Sequence, residues 1–404
     1  MLEGGMSKDE YEKVQSQAVR ASMRRAGVVV LTACPDYSEE HARAAVCSAL
    51  EKWPGLSGIG PGVRVAVKVN LVTGASPKKA VTTHPQLVTE LCRQLTMRGA
   101  EVTVGDSPGG LFTREALRRA YRESGMEQIE QTGAKLNDDI ETENVTYPGA
   151  AAAHVFSCTS WLRKADVIIN FAKLKSHGMM RLTASVKNLF GAVPGTTKPE
   201  YHMRFPNETA FANMLIDLNE ALQPALNLVD AVVCMEGNGP TAGSPRPLGL
   251  VLSSENPYNL DMICAELTGM RPEDVPTIRC AASRGLGPSG LQEVEISGER
   301  PEQWKLTDFR QADGVRVTFT GNGVLGRLQE AIFRSAMQQM PKVHPSECIG
   351  CRKCFNVCPA MAITMVKGKP RIDRKRCIRC FCCQEFCPRG AMKVHRTLLA
   401  RLLQ

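Results

Sequence analysis

Two stretches near the C-terminus repeat one cysteine pattern, CIGCRKCFNVCP at residues 348–359 and CIRCFCCQEFCP at residues 377–388. In each stretch, two residues separate the first three cysteines, and a fourth cysteine follows after three more residues and precedes a proline. This spacing is typical of a site for two [4Fe–4S] clusters, in which three thiolates of one run bind one cluster and the fourth binds the other. One cluster is therefore assigned to Cys348, Cys351, Cys354 and Cys387, and the other to Cys377, Cys380, Cys383 and Cys358.

Other uses of cysteine fit the repeated pattern less well. A structural zinc site has four ligands in two Cys-x2-Cys pairs, not two runs of four cysteines that each end in proline. A disulfide framework belongs to small secreted domains, whereas this chain has 404 residues. The pattern thus predicts a small α+β module of the bacterial ferredoxin type at residues 341–395, which would carry single electrons at low potential.

The composition as a whole is that of a soluble globular protein. Hydrophobic residues make up 43% and charged residues 23% of the chain, and no apolar stretch approaches the roughly 18 residues of a membrane span. The first 27 residues are polar, lack the apolar core of a secretory signal, and are expected to form an N-terminal extension. The eight cysteines that are not assigned to a cluster lack metal-ligand spacing, which favours free thiols in a reducing cytoplasm.

Positive charge is concentrated at the C-terminal end. Residues 341–404 hold 14 Lys and Arg against 3 Asp and Glu, a formal charge of +11, whereas the whole chain carries +9. Two interpretations fit: the excess offsets the negative charge of bound clusters, or it attracts an acidic redox partner protein. Nucleic acid is not an expected partner, because no helix-turn-helix, RRM or zinc-finger pattern accompanies the charge.

Residues 28–340 have the pattern of an α/β domain. Short apolar segments rich in β-branched residues alternate with segments whose apolar residues recur at helical spacing. VRVAVKVN at residues 63–70 is mostly apolar, as expected of a strand buried on both faces of a parallel sheet. Strands are predicted at 28–32, 63–70, 101–105, 166–170, 226–233, 291–297 and 315–319, and helices at 38–53, 85–98, 113–124, 207–222 and 323–340. This order predicts a mostly parallel sheet covered by helices, followed by the ferredoxin module and a short tail at 396–404.

Polar side chains follow several of the predicted strands. Lys68 and Asn70 close one strand, and the glycine-rich turn GDSPGG at residues 105–110 follows the next. FAKLKSHG at residues 171–178 and EGNGPTAG at residues 236–243 follow two later strands. Because ligands of parallel sheets bind outside the carboxyl ends of the strands, these segments predict a polar pocket at that edge.

Lysine and histidine side chains in these segments are the candidates for chemistry. Lysines suit a carboxylate or phosphate ligand, and histidines transfer protons near neutral pH. Taken singly, each lysine also fits a solvated surface charge and each histidine a structural role. The candidate catalytic residues are His177, Lys187, His202 and Lys68, and the candidate ligand-binding residues are Asn70, Asp106, Lys173, Lys175, Asn238 and Gly239. We expect His177, Lys187 and His202 to share one cavity, with the loop 238–243 as one wall.

Several segments together resemble one family. They are VKVN at 67–70, HP at 84–85, VGDSPG at 104–109, KLKSH at 173–177, VKNLFG at 186–191 and EGNGPTAG at 236–243. In combination they are similar to the domain-of-unknown-function 362 (DUF362) family, many of whose members end in a two-cluster ferredoxin module. The resemblance implies this architecture and no settled reaction.

A second resemblance is confined to three residues. His177, Lys187 and His202 are similar in order and approximate spacing to a catalytic histidine, a cofactor-linked lysine and a metal-ligating histidine of the lactate racemase family. That family binds a nickel-pincer nucleotide. The chain lacks the phosphate-binding motif that opens the racemase sequence, so the resemblance implies a related pocket more than the same cofactor.

Three functions follow from these observations. The first is an iron–sulfur oxidoreductase that passes low-potential electrons between two [4Fe–4S] clusters and an anionic ligand in the α/β pocket. The second is a non-catalytic electron-transfer adaptor, and the third is a lactate-racemase-like enzyme that depends on a metal or nucleotide. An additional organic or metal cofactor stays open, but motifs for usual NAD(P) binding, a P-loop or an HExxH zinc site are absent from the sequence.

Overall fold

The computed structural model describes residues 27–195, 197–312, 340–378 and 380–395. The strands of the larger domain are β1 Val29–Ala33, β2 Arg64–Lys68, β3 Glu101–Gly105, β4 Lys135–Leu136, β5 Thr142–Thr146, β6 Val155–Thr159, β7 Val167–His177, β8 Arg181–Thr183, β9 Leu226–Glu236, β10 Ser244–Ser254 and β11 Ile296–Gly298. Nine of these form one sheet in the order β11-β1-β10-β9-β7-β2-β3-β4, with β8 paired to β7, and β5 and β6 form a separate hairpin. The N-terminal 26 residues, the strand predicted at 315–319, the helix predicted at 323–340 up to residue 339 and the tail at 396–404 lie outside the described residues.

The centre of the main sheet is parallel, as the sequence predicts. β2 pairs in parallel with β3, where Val67 faces Val104, and with β7, where Val67 faces Ile169. β7 in turn pairs in parallel with β9. Side chains alternate between the faces of β2, so Val65 and Val67 join one hydrophobic cluster and Ala66 joins another. This burial on both faces is the reason for the continuous apolar run of β2.

The other half of the sheet differs from the prediction. β10 pairs antiparallel with both β1 and β9, and the sequence did not predict it because Pro245 and Pro247 interrupt its beginning. β7 continues to His177 instead of ending at Asn170, since pairing with β8 and β9 satisfies its backbone. The segment predicted as a loop at 171–178 is therefore mostly strand. Of the strand predicted at 291–297, only β11 forms.

Helices cover both faces of the sheet. They are α1 Glu39–Glu51, α2 Pro85–Thr96, α3 Arg114–Ser124, α4 Ser160–Arg163, α5 Ser185–Asn188, α6 Lys198–Arg204, α7 Glu208–Leu222, α8 Pro257–Leu267, α9 Pro276–Ser283 and α10 Pro301–Trp304. Ser38, Thr113 and Asn207 cap α1, α3 and α7, because each side chain accepts a hydrogen bond from a backbone N–H of the first turn. α1 to α3 pack on one face and α7 and α8 on the other. Within the described ranges, no helix is long and apolar enough to cross a bilayer.

The C-terminal module consists of two similar halves. Its strands are β12 Met340–Val343, β13 Ile363–Val366, β14 Lys369–Ile372 and β15 Met392–His395, and its helices are α11 Lys353–Asn356 and α12 Cys382–Glu385. β12 pairs antiparallel with β15, and β13 with β14. Each helix follows a residue in the left-handed region, Arg352 with φ 60° and Phe381 with φ 58°. The repeated sequence pattern therefore becomes a repeated backbone turn that brings cysteines together.

Candidate functional site

Nine cysteines line two small cavities in the C-terminal module. One cavity is lined by Cys348, Cys351, Cys354 and Cys387, and the other by Cys358, Cys377, Cys380, Cys382 and Cys383. Among the eight assigned cysteines, each run supplies three to one cavity and its fourth to the other, which is the crossed grouping of the ligand assignment. Apolar side chains such as Val343 and Met392 complete the first cavity, and Ile363 and Ile372 the second.

These thiol sets fit iron–sulfur clusters. Equivalent backbone N–H groups donate to the fourth sulfur of each run, from Ala362 to Cys358 Sγ and from Ala391 to Cys387 Sγ, both at 3.2 Å. Hydrogen bonds to ligand sulfur are one means by which proteins adjust a cluster's reduction potential. In the described part of the chain, no three His, Cys, Asp or Glu side chains are placed to hold a single ion. A single ion requires ligands that converge on one point, whereas a cube-shaped cluster requires four thiols spaced around a cavity.

A polar cavity of about 60 Å³ lies where the C-terminal module meets the carboxyl edge of the sheet. Three cationic side chains line it, Lys175 from β7, Lys187 from α5 and Lys198 from α6, and we refer to it as the lysine cavity. Phe386 of the C-terminal module forms part of the same wall. The volume holds a few water molecules or one small anionic group.

A buried ion pair stands behind the lysine cavity. Asp106 lines the cavity, and its Oδ1 lies 2.7 Å from Lys68 Nζ, which is fully buried. Asp106 Oδ2 accepts a hydrogen bond from Leu71 N at 2.7 Å. Burial lowers the pKa of Lys68, and the adjacent Asp106 carboxylate partly offsets this effect. Lys68 therefore neutralises Asp106, the carboxylate that lines the cavity.

Buried amides hold the cavity wall in place. Lys175 Nζ donates to Asn70 Oδ1 at 2.8 Å, and Asn70 Nδ2 donates to Asn188 Oδ1 at 2.9 Å. Asn188 Nδ2 donates in turn to Asn170 Oδ1 at 2.7 Å. This series of hydrogen bonds connects the end of β2 with β7 and α5. Because buried polar groups are costly to leave unpaired, the network fixes the rotamers around the lysines.

Asp261 anchors the short helix that carries Lys187. Its carboxylate accepts hydrogen bonds from Ser185 N at 2.7 Å and Val186 N at 3.2 Å, at the beginning of α5. Burial raises the pKa of Asp261 to about 7, and the two backbone donors lower it in part. Asp261 acts on the site through the backbone of α5 and does not line the lysine cavity.

Lys173 belongs to a separate cluster. Its Nζ lies 2.8 Å from Asp230 Oδ2 and donates to the Tyr37 hydroxyl at 2.8 Å. Tyr37 stacks on His84 with ring centroids 3.6 Å apart. Burial lowers the pKa of His84 to about 4, so this imidazole is neutral near pH 7 and accepts a hydrogen bond from Gln86 N. Lys173 therefore supports the fold between β7, β9 and α2 and does not line the lysine cavity.

His177 and His202 do not line the lysine cavity. The His177 ring caps the turn after β7, where Nδ1 accepts hydrogen bonds from Met179 N at 3.1 Å and Met180 N at 3.0 Å. His202 stacks on Phe211 with ring centroids 4.3 Å apart and is 1% exposed. The three residues therefore do not share the lysine cavity, contrary to the expectation from the sequence. The reason is local: one ring satisfies a turn and the other joins an aromatic core.

The loop at 238–243 connects the two parts of the chain. Gln384 Nε2 donates to Asn238 O at 3.2 Å and Gly239 O at 3.4 Å, and Thr241 Oγ1 donates to Gln384 O at 3.2 Å. Pro240 is the member of this loop that lines the lysine cavity. Asn238 and Gly239, which we expected to bind a ligand, thus hold the C-terminal module beside the cavity through their carbonyls.

Two family models match this chain, one in the larger domain and one in the C-terminal module. A family model described as domain of unknown function (DUF362) matches residues 65–266, which is half of the chain. The chain belongs to the DUF362 family. A model described as a 4Fe-4S dicluster domain matches residues 340–388 of this DUF362 protein. The protein is therefore an iron–sulfur protein, and the architecture implied by the sequence motifs is confirmed.

One relative of this DUF362 protein is a thylakoid-associated protein of Synechocystis sp. (strain ATCC 27184 / PCC 6803 / Kazusa). The two are 30% identical over 258 residues, which cover 61% of this chain and 77% of the relative.

Two solved structures are more distant. The lactate racemase apoprotein from Thermoanaerobacterium thermosaccharolyticum matches with a TM-score of 0.34 and 16% identity over 53% of this chain and 52% of that chain. A protein from Thermotoga maritima matches with a TM-score of 0.34 and 14% identity over 54% of this chain and 55% of that chain. The DUF362 protein thus spans about half of either structure, and likeness at this level supports no inference about activity.

Sequence reasoning missed part of the DUF362 site. Lys198 and Phe386 line the lysine cavity, but neither lies at a predicted strand end. Asn188 lies in the VKNLFG segment that resembles the family, so the resemblance of that segment could have indicated Asn188 as a site residue. No local pattern indicates Phe386, because only the docking of the C-terminal module brings its ring to the cavity.

Proposed function

We propose that this DUF362 protein is an oxidoreductase that holds two [4Fe–4S] clusters and exchanges single electrons with an anionic ligand in the lysine cavity. The position of Phe386 supports the proposal. This residue lies in sequence between the cluster ligands Cys383 and Cys387, and its side chain lines the cavity. When bound, the clusters supply single electrons at low potential.

The lining residues have the chemistry to hold such a ligand. Lys175, Lys187 and Lys198 present ammonium groups to one small cavity, and Lys68 already neutralises Asp106. Lysine acts as a point charge that suits a carboxylate or a phosphate. Negative charge that develops during reduction is stabilised more strongly in a site from which water is largely excluded. We assign this stabilisation to Lys187, which is half-buried at the cavity.

The partner in this proposal is an acidic redox protein. Cys351, a ligand of the first cluster, is exposed. Around it, Ile349 is 62% and Phe355 46% exposed, and Arg352 is exposed as well. Exposed apolar side chains beside positive charge suit a transient interface with an acidic surface. An electron donor bound there would lie next to a ligand thiol.

A reducing compartment, the cytoplasm, is part of the same proposal. Cys92, Cys234 and Cys264 are fully buried and unpaired with one another. Burial raises the pKa of all three thiols, which keeps them protonated and unreactive.

Reoxidation of the reduced protein tests the proposed function. The iron-loaded protein is reduced anaerobically with dithionite, freed of excess reductant, and mixed with pyruvate, nitrite or flavin mononucleotide, and separately with methyl viologen. We expect at least one anionic acceptor to reoxidise the wild type about tenfold faster than Lys187→Gln, since a hydrogen bond to a charged group contributes roughly 1.5–3 kcal/mol. Methyl viologen is a cation and should react equally with both proteins. The exposed Lys78→Gln serves as the matched charge control.

Equal rates of reoxidation of wild type and Lys187→Gln by every anionic acceptor would contradict the proposed oxidoreductase function. In that case the intact clusters would point to the electron-transfer adaptor. Iron content measured in parallel ensures that neither lysine substitution acts through cluster loss.

A further inference from the structure

The two cluster sites of the C-terminal module differ in the charge around them. The first site is that of Cys348, Cys351, Cys354 and Cys387, and the second site is that of Cys358, Cys377, Cys380 and Cys383. Three exposed cations line the cavity of the first site, Arg352, Lys353 and Arg389. Among the residues that the structure describes, none with a charged side chain lines the cavity of the second site. Reduction adds one negative charge to a cluster, so nearby cations favour reduction at the first site.

One pair of equivalent positions shows this difference most directly. Arg352 and Phe381 each follow the second cysteine of a run, and each precedes a short helix. Their backbones are alike, with φ 60° and 58°, and each residue lines the cavity of its own site. Arg352 is exposed, whereas Phe381 is buried. The same backbone turn therefore places a cation beside one cluster site and a buried aromatic ring beside the other.

Exposure to water differs in the same sense. The second cysteine of the first run, Cys351, is exposed, whereas its counterpart Cys380 is buried. Phe355 of α11 is 46% exposed, but the equivalent Gln384 of α12 is 1% exposed and donates hydrogen bonds to the loop 238–243 of the α/β domain. Water stabilises the added charge of a reduced cluster, so exposure raises the reduction potential. The α/β domain thus shields the second half of the module at a position where the first half is open.

Hydrogen bonds to the fourth cysteine of each run do not distinguish the two sites. Ala391 N donates to Cys387 Sγ at the first site and Ala362 N to Cys358 Sγ at the second site, both at 3.2 Å. Because this contact is the same at both sites, charge and exposure are the features by which their reduction potentials should differ.

We propose that the two clusters have unequal reduction potentials, with the higher potential at the first site. Arg352 and Arg389 raise the potential there, and buried apolar surroundings keep the potential of the second site lower. When the redox partner supplies one electron, the pair holds it on the first cluster, beside the exposed Cys351. A second electron enters the second cluster at lower potential and is the more reducing of the two. This inference rests on the two clusters of the proposed function and extends it by giving the order in which they are reduced.

A redox titration followed by electron paramagnetic resonance tests the inference without any anionic ligand. The full-length, iron-loaded protein is reduced stepwise with dithionite in the presence of redox mediators, and the signals are fitted to two one-electron midpoint potentials. We expect the reduction equilibria of the two clusters to differ by at least about tenfold, which corresponds to about 59 mV for one electron.

Variants that change charge assign each potential to a site. Arg352→Gln combined with Arg389→Gln removes two cations from the first site, so only the higher potential should fall, by about tenfold in the reduction equilibrium. The control combines Lys342→Gln with Lys367→Gln, which removes two exposed cations that line neither cavity and should leave the separation of the potentials unchanged. Phe381→Arg places a cation at the second site and should raise only the lower potential. Even if Phe381→Arg failed to fold, the arginine double variant alone would decide the assignment.

Three results would overturn the inference: potentials that coincide in the wild type, a fall of the lower potential in the arginine double variant, or a shift in that variant no larger than in the control. Iron content distinguishes these results from a failure of the proposed function. About four iron atoms per chain would contradict the two clusters and this inference with them. About eight iron atoms with coincident potentials would contradict the order of reduction and leave the proposed function standing.

Discussion

The ring of Phe386 packs directly on the backbone of Gly109. A Cβ built on Gly109 would lie within 2.7 Å of Phe386 Cδ1 and Cζ, closer than side chains approach one another. This contact requires a glycine at position 109. The backbone conformation there does not, since the φ of Gly109 is not positive. Gly109 therefore permits the close approach of the C-terminal module to the carboxyl edge of the sheet.

The first prediction concerns this contact. We expect Gly109→Ala to destabilise the docking of the C-terminal module by about 1–3 kcal/mol, because the added methyl group must displace a buried ring. Faster release of the C-terminal module on limited proteolysis, together with a lower thermal midpoint, would show it. Gly60→Ala is the control, since no atom lies within 4 Å of a Cβ there. Equal behaviour of the two variants would mean that the modules meet by a different contact.

Removal of Lys68 should destabilise the α/β domain. Lys68→Met leaves the Asp106 carboxylate buried without its cation, and breaking a buried pair in this way costs about 3–5 kcal/mol. Urea unfolding followed by circular dichroism measures the change. The exposed Lys78→Met should alter the unfolding free energy by less than about 0.5 kcal/mol. A loss for Lys68→Met as small as that of the control would show that Asp106 finds another partner.

The stability of the protein should depend on Asp261 through pH. Its folded pKa of about 7 lies above the value of about 3.9 in an unfolded chain, so between these values the folded state holds a proton that the unfolded state has lost. Asp261 therefore lowers the free energy of unfolding as pH rises from about 4 to about 7, and its penalty is complete above pH 7.

Asp261→Asn removes this titration. We expect the urea midpoint of the variant to rise relative to that of the wild type as pH increases across this interval, and the difference to become constant above about pH 7. The exposed Asp138→Asn should show no such trend. A difference for Asp261→Asn that does not vary with pH would mean that the carboxylate is ionised throughout.

The crossed ligand assignment predicts which cluster each cysteine serves. Cys358→Ser should remove the cluster of Cys377, Cys380 and Cys383, and lower the iron content from about eight to about four atoms per chain, since each cluster holds four. Iron analysis and electron paramagnetic resonance of the reduced protein measure the change. Cys382→Ser is the control: this buried cysteine lines the same cavity but lies outside the assigned set, so the variant should retain all the iron. Loss of the cluster of Cys348, Cys351 and Cys354 would reverse the assignment.

The sequence by itself determined the features that depend on short-range spacing. The two cysteine runs define the ferredoxin-type module, because the geometry of a cluster restricts the spacing of its ligands. The apolar run at 63–70 defines a central parallel strand, because burial on both faces requires consecutive apolar residues. Strand ends and segments that resemble the family likewise indicated site residues from local sequence. These residues are Lys68, Asn70, Asp106, Lys175 and Lys187.

Only the tertiary structure decided which of these residues meet. Lys173 and Lys175 are two positions apart on β7, yet one pairs with Asp230 and the other lines the lysine cavity, since sheet pairing and the neighbouring loops give each its own surroundings. His202 became part of an aromatic core for the same reason. Phe386 reaches the cavity from a separate module, and no local pattern encodes that contact, because it arises from the packing of surfaces nearly 280 residues apart along the chain.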